Sequence, residues 1–475
     1  MSKFLPANQN FENISSNIVY HLLRLAQIDR AVAYSILGNI SSLLIGAVSV
    51  FLIANYFSLE AQGYYYAFAG FSAIQFILEL GLGQTAIPFA SHEWAYLGFS
   101  KEGLISGNIN SEARLFSLGR ILFKWYTVSA GIVILGLTPA GYLFFSYSHS
   151  PLVEWTYPWI VLCLLIALNL AVMPIFYLLQ GCNQVASYGF YRFIQQLAYG
   201  AAIWVTILLG GELWALPAAA ASILIWNCIF IWKYQRNFLF FFFNSHCDKK
   251  LNWWREIWPI QWRTAISWTT SNFTTVFFAP ILFHISGSAL AGQMGMTVAL
   301  NNILLSLSSS WIVTRLPRLG LLLAKQQYQS ANTLFFKSLT LSFLVVLFGG
   351  GAIWLFDYFL YMLDHPFRFR ILPPISVGVF LLGTILNSLT NNLSIYLRAY
   401  KKDPLAIIYF FTTILIVSCA TIFGYYLGDL GISITYFFVI ALFQFPLSLL
   451  IFVRFRRNQQ KYNDPLLTAY IKFFA

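Results

Sequence analysis

GISITYFFVIALFQFPLSLLIFVRFRR, residues 431–457, carries no charge until Arg454 and then three cations in four positions. An apolar run of this length is what a helix needs to cross a bilayer, roughly 20 residues. A cluster of Arg directly after it reads as a stop at the cytoplasmic face. Working outward, the same pattern recurs about twelve times. The runs lie at 32–55, 64–88, 121–146, 157–180, 192–210, 215–234, 259–284, 290–314, 337–362, 371–397, 404–427 and 431–453. Of the 28 Lys and Arg, only Arg368 and Arg370 fall in linkers on the other side. That is a positive-inside distribution carried through the whole chain, and it predicts cytoplasmic termini.

Composition agrees. The chain is 59% hydrophobic and 9% charged, against about 25% charged in a soluble domain. So few polar groups cannot cover this much apolar surface in water, so lipid is the solvent. The net charge of +12 flanks the runs and is a topology signal; nucleic-acid binding is not expected. Cys163, Cys182, Cys228, Cys247 and Cys419 form no CxxC pair and read as neither a disulfide framework nor a metal site. Residues 15–30, with Arg24 and Arg30 among apolar residues, read either as an interfacial amphipathic helix or as a plain tail.

The expected fold is an all-α integral membrane protein of about twelve transmembrane helices in two six-helix bundles. The expected parts are a cytoplasmic segment at 1–31, a bundle at 32–234, a linker at 235–258, a second bundle at 259–453 and a tail at 454–475. The linker interleaves Lys249, Lys250 and Arg255 with Trp253, Trp254 and Trp258, which suits a segment lying among lipid headgroups.

The halves also repeat. Asn39 follows Arg30 by nine residues, as Asn272 follows Arg263. Gly63 precedes Pro88 by 25 residues, as Gly292 precedes Pro317. Tyr177-Leu178 and Tyr396-Leu397 close spans 4 and 10. Six spans per half make the repeats parallel, about an axis along the membrane normal, which is a transporter plan.

These features resemble a family. Arg30-Ala31-Val32 through Gly63-Tyr64-Tyr65, then Leu80-Gly81-Leu82-Gly83 and Leu179-Gln180-Gly181, are similar to polysaccharide-unit (O-antigen type) flippases of the multidrug/oligosaccharidyl-lipid/polysaccharide exporter superfamily. The resemblance implies a carrier that moves an undecaprenyl-diphosphate-linked glycan from the inner to the outer leaflet of a bacterial inner membrane. It implies no enzyme activity and no cofactor, and the two halves make a monomer sufficient.

Such cargo needs cations for its diphosphate, because isolated charges are costly to desolvate. Arg30 and Arg263, in matching places, are the first candidates, since Arg binds phosphate oxygens bidentately. Basic residues at span ends also snorkel to headgroups. Asn39, Asn272 and Asn391 are candidate sugar contacts, though amides inside spans also bond helix to helix. Glu79, with Gln75 on the same helical face, is the candidate for proton or sodium coupling. Asp357 is expected near the interface. Two alternatives stand beside the flippase. One is a cation-coupled multidrug exporter of the same superfamily, which usually carries an acidic cluster in its first bundle. The other is a membrane O-antigen ligase or polymerase, which usually carries a large outer loop.

Overall fold

The computed structural model describes residues 30–99, 105–146, 153–182, 185–234, 238, 242, 251–259, 261, 262, 264–266, 275–400 and 404–462. Among the described residues the apolar runs are predominantly helical. Span 1 is Arg30–Tyr56. Span 2 is a bent succession of Leu59–Ser72, Ile74–Glu79 and Leu82–Trp94. Span 3 runs over Ile109–Ile132, a π-turn at Val133–Leu137 and Thr138–Ser146. Spans 4, 5 and 6 are Thr156–Gly181, Val185–Leu208 and Ala215–Tyr234.

In the second half, Phe278–Ser286 is the far end of span 7 and Ser288–Val313 is span 8. Spans 9 and 10 are Tyr328–Met362 and Pro374–Ala399. Spans 11 and 12 form one run from Ala406 to Tyr462 that turns at Gly428 (φ 61°, ψ −133°) and passes a π-turn at Ile440–Gln444. That φ lies in the left-handed region open to glycine, so a linker of three residues suffices where the sequence placed one. Eight described helices are long and apolar enough to cross a bilayer, or nine with span 2 counted as one bent span. The fold is that of an all-α, multi-pass membrane protein. One feature is not α: the linker after span 2 carries a small antiparallel hairpin, Leu97–Phe99 with Ile105–Gly107.

Local chemistry sets the helix ends. Ser58 and Asn108 cap spans 2 and 3 by accepting from the Ala61 and Asn110 amides, which satisfies donors that a helix start leaves orphaned. Within the first half, spans 1·5, 5·6, 4·6, 3·4 and 2·4 pack together; within the second, 7·8, 8·9, 9·10, 10·11, 7·11 and 10·12. The halves meet through 2·8, 2·7 and 1·8.

The 2·8 crossing is reciprocal. A Cβ on Gly63 would meet the Ser288 carbonyl oxygen at 1.9 Å, and one on Gly292 would meet the Gly63 nitrogen at 2.9 Å and the Leu59 oxygen at 3.2 Å. Leu59 precedes Gly63 by four residues, and Ser288 precedes Gly292 by four. Residue i thus meets j′ as j meets i′, the signature of a two-fold contact. The glycines that mark the repeat in sequence are where its two copies touch.

The linker between the halves does not simply float among headgroups. Phe238, Phe242, Leu251 and Ile257 are buried. Trp253 stacks on Trp125 of span 3 (centroids 5.7 Å apart), and the Leu251 amide donates to Ser117 Oγ. Apolar side chains in this segment found protein rather than lipid. Trp254, by contrast, is exposed.

Candidate functional site

A cavity of about 270 Å³ is walled by spans 1, 2 and 5 of the first half and borders the second half at Ala299 of span 8. Its polar lining is Ser42, Ser49, Tyr65, Tyr66, Gln196 and Tyr199, and no charged side chain lines it among the described residues. Span 1 presents residues 42, 45, 46, 49 and 53, the 3–4 spacing of one helix face. Asn39 lies three residues before Ser42 on that face and is exposed, so it continues the wall toward the basic end.

Span 5 presents Gln196, Tyr199 and Ile203. Arg192, one turn before Gln196, extends this face; it is exposed, with Nη1 donating to Gln195 Oε1 at 3.4 Å. This register places Arg192 at the cavity mouth. Arg30 opens span 1, twelve residues before Ser42, or about 18 Å along a helix. Arg263 and Asn272 lie outside the described residues. Asn391 is exposed on span 10, which lends no residue to this cavity. None of the lining residues was singled out as a site residue from the sequence; the Tyr64-Tyr65-Tyr66 run beside Gly63 was the available signal.

At the face of the short linkers the halves are tied together. Gln62 donates to the carbonyls of Gly292 (2.8 Å) and Arg370 (3.0 Å). Arg370 returns bonds from Nη1 to Gln62 Oε1 (3.0 Å) and from Nη2 to the Phe57 carbonyl (2.6 Å). Burial lowers the Arg370 guanidinium pKa, and the Glu212 and Glu60 carboxylates oppose that; it stays charged, as arginine does in proteins. Arg368 is ion-paired to Asp364 and lies over the Phe369 ring. The two cations of this face are therefore engaged within the protein, one as a latch across the halves.

Glu79 lies at the break in span 2. Leu80 (φ 45°) and Gly81 (φ 61°) are both left-handed there, and the flanking helices bend by 40°. Glu79 is buried, and its Oε2 accepts from Tyr177 (3.1 Å) and Tyr126 (3.4 Å). Its partners are these tyrosines of spans 3 and 4 rather than Gln75, because the break turns the carboxylate into the first bundle. No described cation pairs with it. Trp125 Nε1 and Ser129 Oγ donate to the Leu78 carbonyl (3.0 and 3.3 Å), which bonding within the broken helix would otherwise leave open. Asp357, near the end of span 9, is buried, with Oδ2 unpartnered.

The remaining amides mostly join helices. In the first bundle Asn227 bonds Tyr191, Gln195 and Asn169. In the second, Gln444 bonds Asn387, Thr390 and Thr412, and Asn392 bonds Ser342. The Asn227 network occupies spans 4–5–6 and the Gln444 network spans 10–11–12, matching positions of the repeat, while Asn392 ties span 10 to span 9. On the basic face, Arg114 bridges Glu93 (2.8 Å) and Glu256 (2.7 Å), tying the linker to spans 2 and 3.

No protein-family model matches this sequence, and no curated protein matches it. Solved structures do. The chain is similar to the lipid II flippase MurJ in an inward closed conformation, with a TM-score of 0.63 and 13% identity over 89% of this chain and 87% of that one. It is similar to the MATE multidrug transporter DinF-BH (0.59, 13%, 90% and 95%) and to an inward-facing multidrug resistance MATE family transporter of the MOP superfamily (0.58, 12%, 87% and 99%). At such identities the likeness shows a shared fold.

Proposed function

We propose that this chain is an alternating-access transporter that carries a polyprenyl-diphosphate-linked oligosaccharide across a bacterial inner membrane, for cell-surface polysaccharide synthesis. The observation that carries this reading is the lining of the cavity walled by spans 1, 2 and 5. Three tyrosines, a glutamine and two serines, without a carboxylate, suit the hydroxyls and faces of a neutral sugar. A cationic drug would find no counter-charge there. The basic face is then cytoplasmic, and the diphosphate sits at the mouth, near Arg30, Asn39 and Arg192 and, by the repeat, Arg263 and Asn272. Asn391 is left as a contact for a second state. The lipid tail stays in the bilayer beside the gap, and rocking about the 2·8 crossing exchanges access.

In this proposal Glu79 responds to a proton or sodium ion. Its charge adjoins the bend at Leu80–Gly81, so a change there acts on the shape of span 2. A cation-coupled multidrug exporter is the second reading, favoured by that same buried carboxylate. An O-antigen ligase or polymerase is less suited, because Arg368 and Arg370 are both engaged.

Binding to detergent-solubilised protein, read by thermal stabilisation, tests the proposal. A polyprenyl-diphosphate saccharide should raise the melting temperature more than polyprenyl diphosphate alone. Tyr199→Ala and Gln196→Ala should remove that difference. Stabilisation by cationic dyes and not by the saccharide would favour the second reading.

A further inference from the structure

A larger cavity lies elsewhere. On the basic face, spans 9 and 12 leave an open space of about 670 Å³ between the first turns of span 9 and Arg456. Lys337 and Arg456 line it, and no carboxylate does. Neither cation is ion-paired among the described residues. The Arg456 guanidinium carbon lies 5.0 Å from the Phe336 ring centroid and 5.9 Å from that of Phe452, which holds the charge against the wall. Asn332 Oδ1 accepts from Tyr396 Oη at 2.6 Å, and that turns the amide nitrogen of Asn332 into the available donor. Two cations and an amide N–H around an acid-free space make an anion site.

The repeat shows how unusual this space is. Tyr126 against Tyr177 in spans 3 and 4 (6.0 Å) matches Phe335 against Tyr396 in spans 9 and 10 (4.3 Å). Counting back three and seven residues pairs Phe123 with Asn332 and Gly119 with Tyr328. In the first half this place is filled by the chain itself. Phe242 lies 6.3 Å from Phe123, and a Cβ on Gly119 would fall 2.2 Å from the Phe242 ring. In the second half the equivalent positions, Asn332 and Tyr328, are polar, and no apolar side chain plugs the space among the described residues. An apolar plug fits the first lining; an anion fits the second.

Position decides which anion. The cavity is bounded by spans 9 and 12, whereas spans 1, 2, 5 and 8 line the transport cavity. Exposed Arg454 and Arg457 flank it, which sets it at headgroup depth, where basic clusters bind anionic lipid. We infer that this cavity holds the phosphate headgroup of an anionic membrane phospholipid, resident on the second bundle and separate from the cargo path.

Native mass spectrometry of the full chain, titrated with phosphatidylglycerol or phosphatidylcholine, tests the inference. The first phosphatidylglycerol should bind more tightly than phosphatidylcholine. Lys337→Gln with Arg456→Gln should weaken it by roughly 30-fold, the change expected for two headgroup cations. Arg454→Gln with Arg457→Gln, just outside the cavity, should weaken it about twofold or less. If the double variant does not fold, Lys337→Gln alone should give roughly a fivefold loss. Equal losses in the two pairs would reduce the site to diffuse surface charge. Equal binding of phosphatidylcholine would refute headgroup selection. Displacement of the lipid by millimolar inorganic phosphate would make it a free-phosphate site and overturn the inference.

Discussion

Gly63→Ala is the sharpest structural test of the closed face. The added Cβ would lie 1.9 Å from the Ser288 oxygen. A carbon–oxygen contact needs about 3.3 Å, so span 8 must retreat by about 1.4 Å. The obstacle is backbone, which no rotamer change can move. Overpacking of this kind costs about 1–3 kcal/mol. The same retreat takes the 2.8 Å bond from Gln62 to the Gly292 carbonyl out of range, a further loss of about 1 kcal/mol. Together, about 2–4 kcal/mol leaves the closed state, which lowers the ratio of closed to open molecules roughly 30-fold or more. Spin labels at positions 56 and 369, both exposed and on opposite halves, report the separation by pulsed EPR once the native cysteines are replaced by serine. Gly63→Ala should add a longer-distance population. Gly292→Ala, whose nearest contact is 2.9 Å, should add a smaller one. Gly131→Ala, with nothing within 4 Å, should add none. An unchanged distribution in folded Gly63→Ala protein would refute the reasoning.

Arg370→Gln removes two charge-assisted bonds worth about 1.5–3 kcal/mol each before compensation, and the same label pair should show it opening the closed face. Glu79→Gln keeps the shape but halves the acceptor capacity facing Tyr126 and Tyr177; ion-gradient stimulation of transport should vanish while binding of cargo persists. Arg114→Ala strands Glu93, which is buried, and should cost about 1–3 kcal/mol, read as a lower melting temperature and faster proteolysis near residue 255. For Glu256, desolvation raises the carboxyl pKa, but the bonds from Arg114 and Asn252 and the Arg114 charge together outweigh it and lower the net value. A lowered folded pKa means that this tie contributes stability above the ordinary carboxylate range and loses it as pH falls through the folded value. Hydrogen exchange of 251–257 should therefore quicken, after correction for intrinsic rates, only on acidification below about pH 4.

Hydropathy carried most of the fold because a bilayer asks one thing of a span, an apolar length. Spans 4 and 6, expected at 157–180 and 215–234, form as Thr156–Gly181 and Ala215–Tyr234. Helices overran the apolar lengths where polar turns continue past the membrane: span 3 begins at Ile109 rather than 121, and span 9 at Tyr328 rather than 337. The bend in span 2 left no trace in hydropathy, since Leu80 is itself apolar and the helix is broken by the left-handed backbone of Leu80 and Gly81. Within the candidate site, Asn39 shares a helix face with Ser42 but is not itself a lining residue. The latch was not legible in the sequence, because Gln62 and Arg370 are 308 residues apart and a lone amide in a linker carries no pattern. Asn387 and Asn392, like other amides inside spans, bond helix to helix, with partners from spans 9 and 12.

The most direct test of the central claim is flipping in proteoliposomes loaded with a polyprenyl-diphosphate oligosaccharide, with wild type beside Arg30→Ala, Arg192→Ala and Arg263→Ala. The account predicts that wild type moves the lipid between leaflets and that the arginine variants, inserted and folded, do so at least tenfold more slowly, the loss expected from a single charged contact of about 1.5–3 kcal/mol. Wild-type protein that leaves the saccharide lipid in place while exporting cationic dyes under an ion gradient would contradict it.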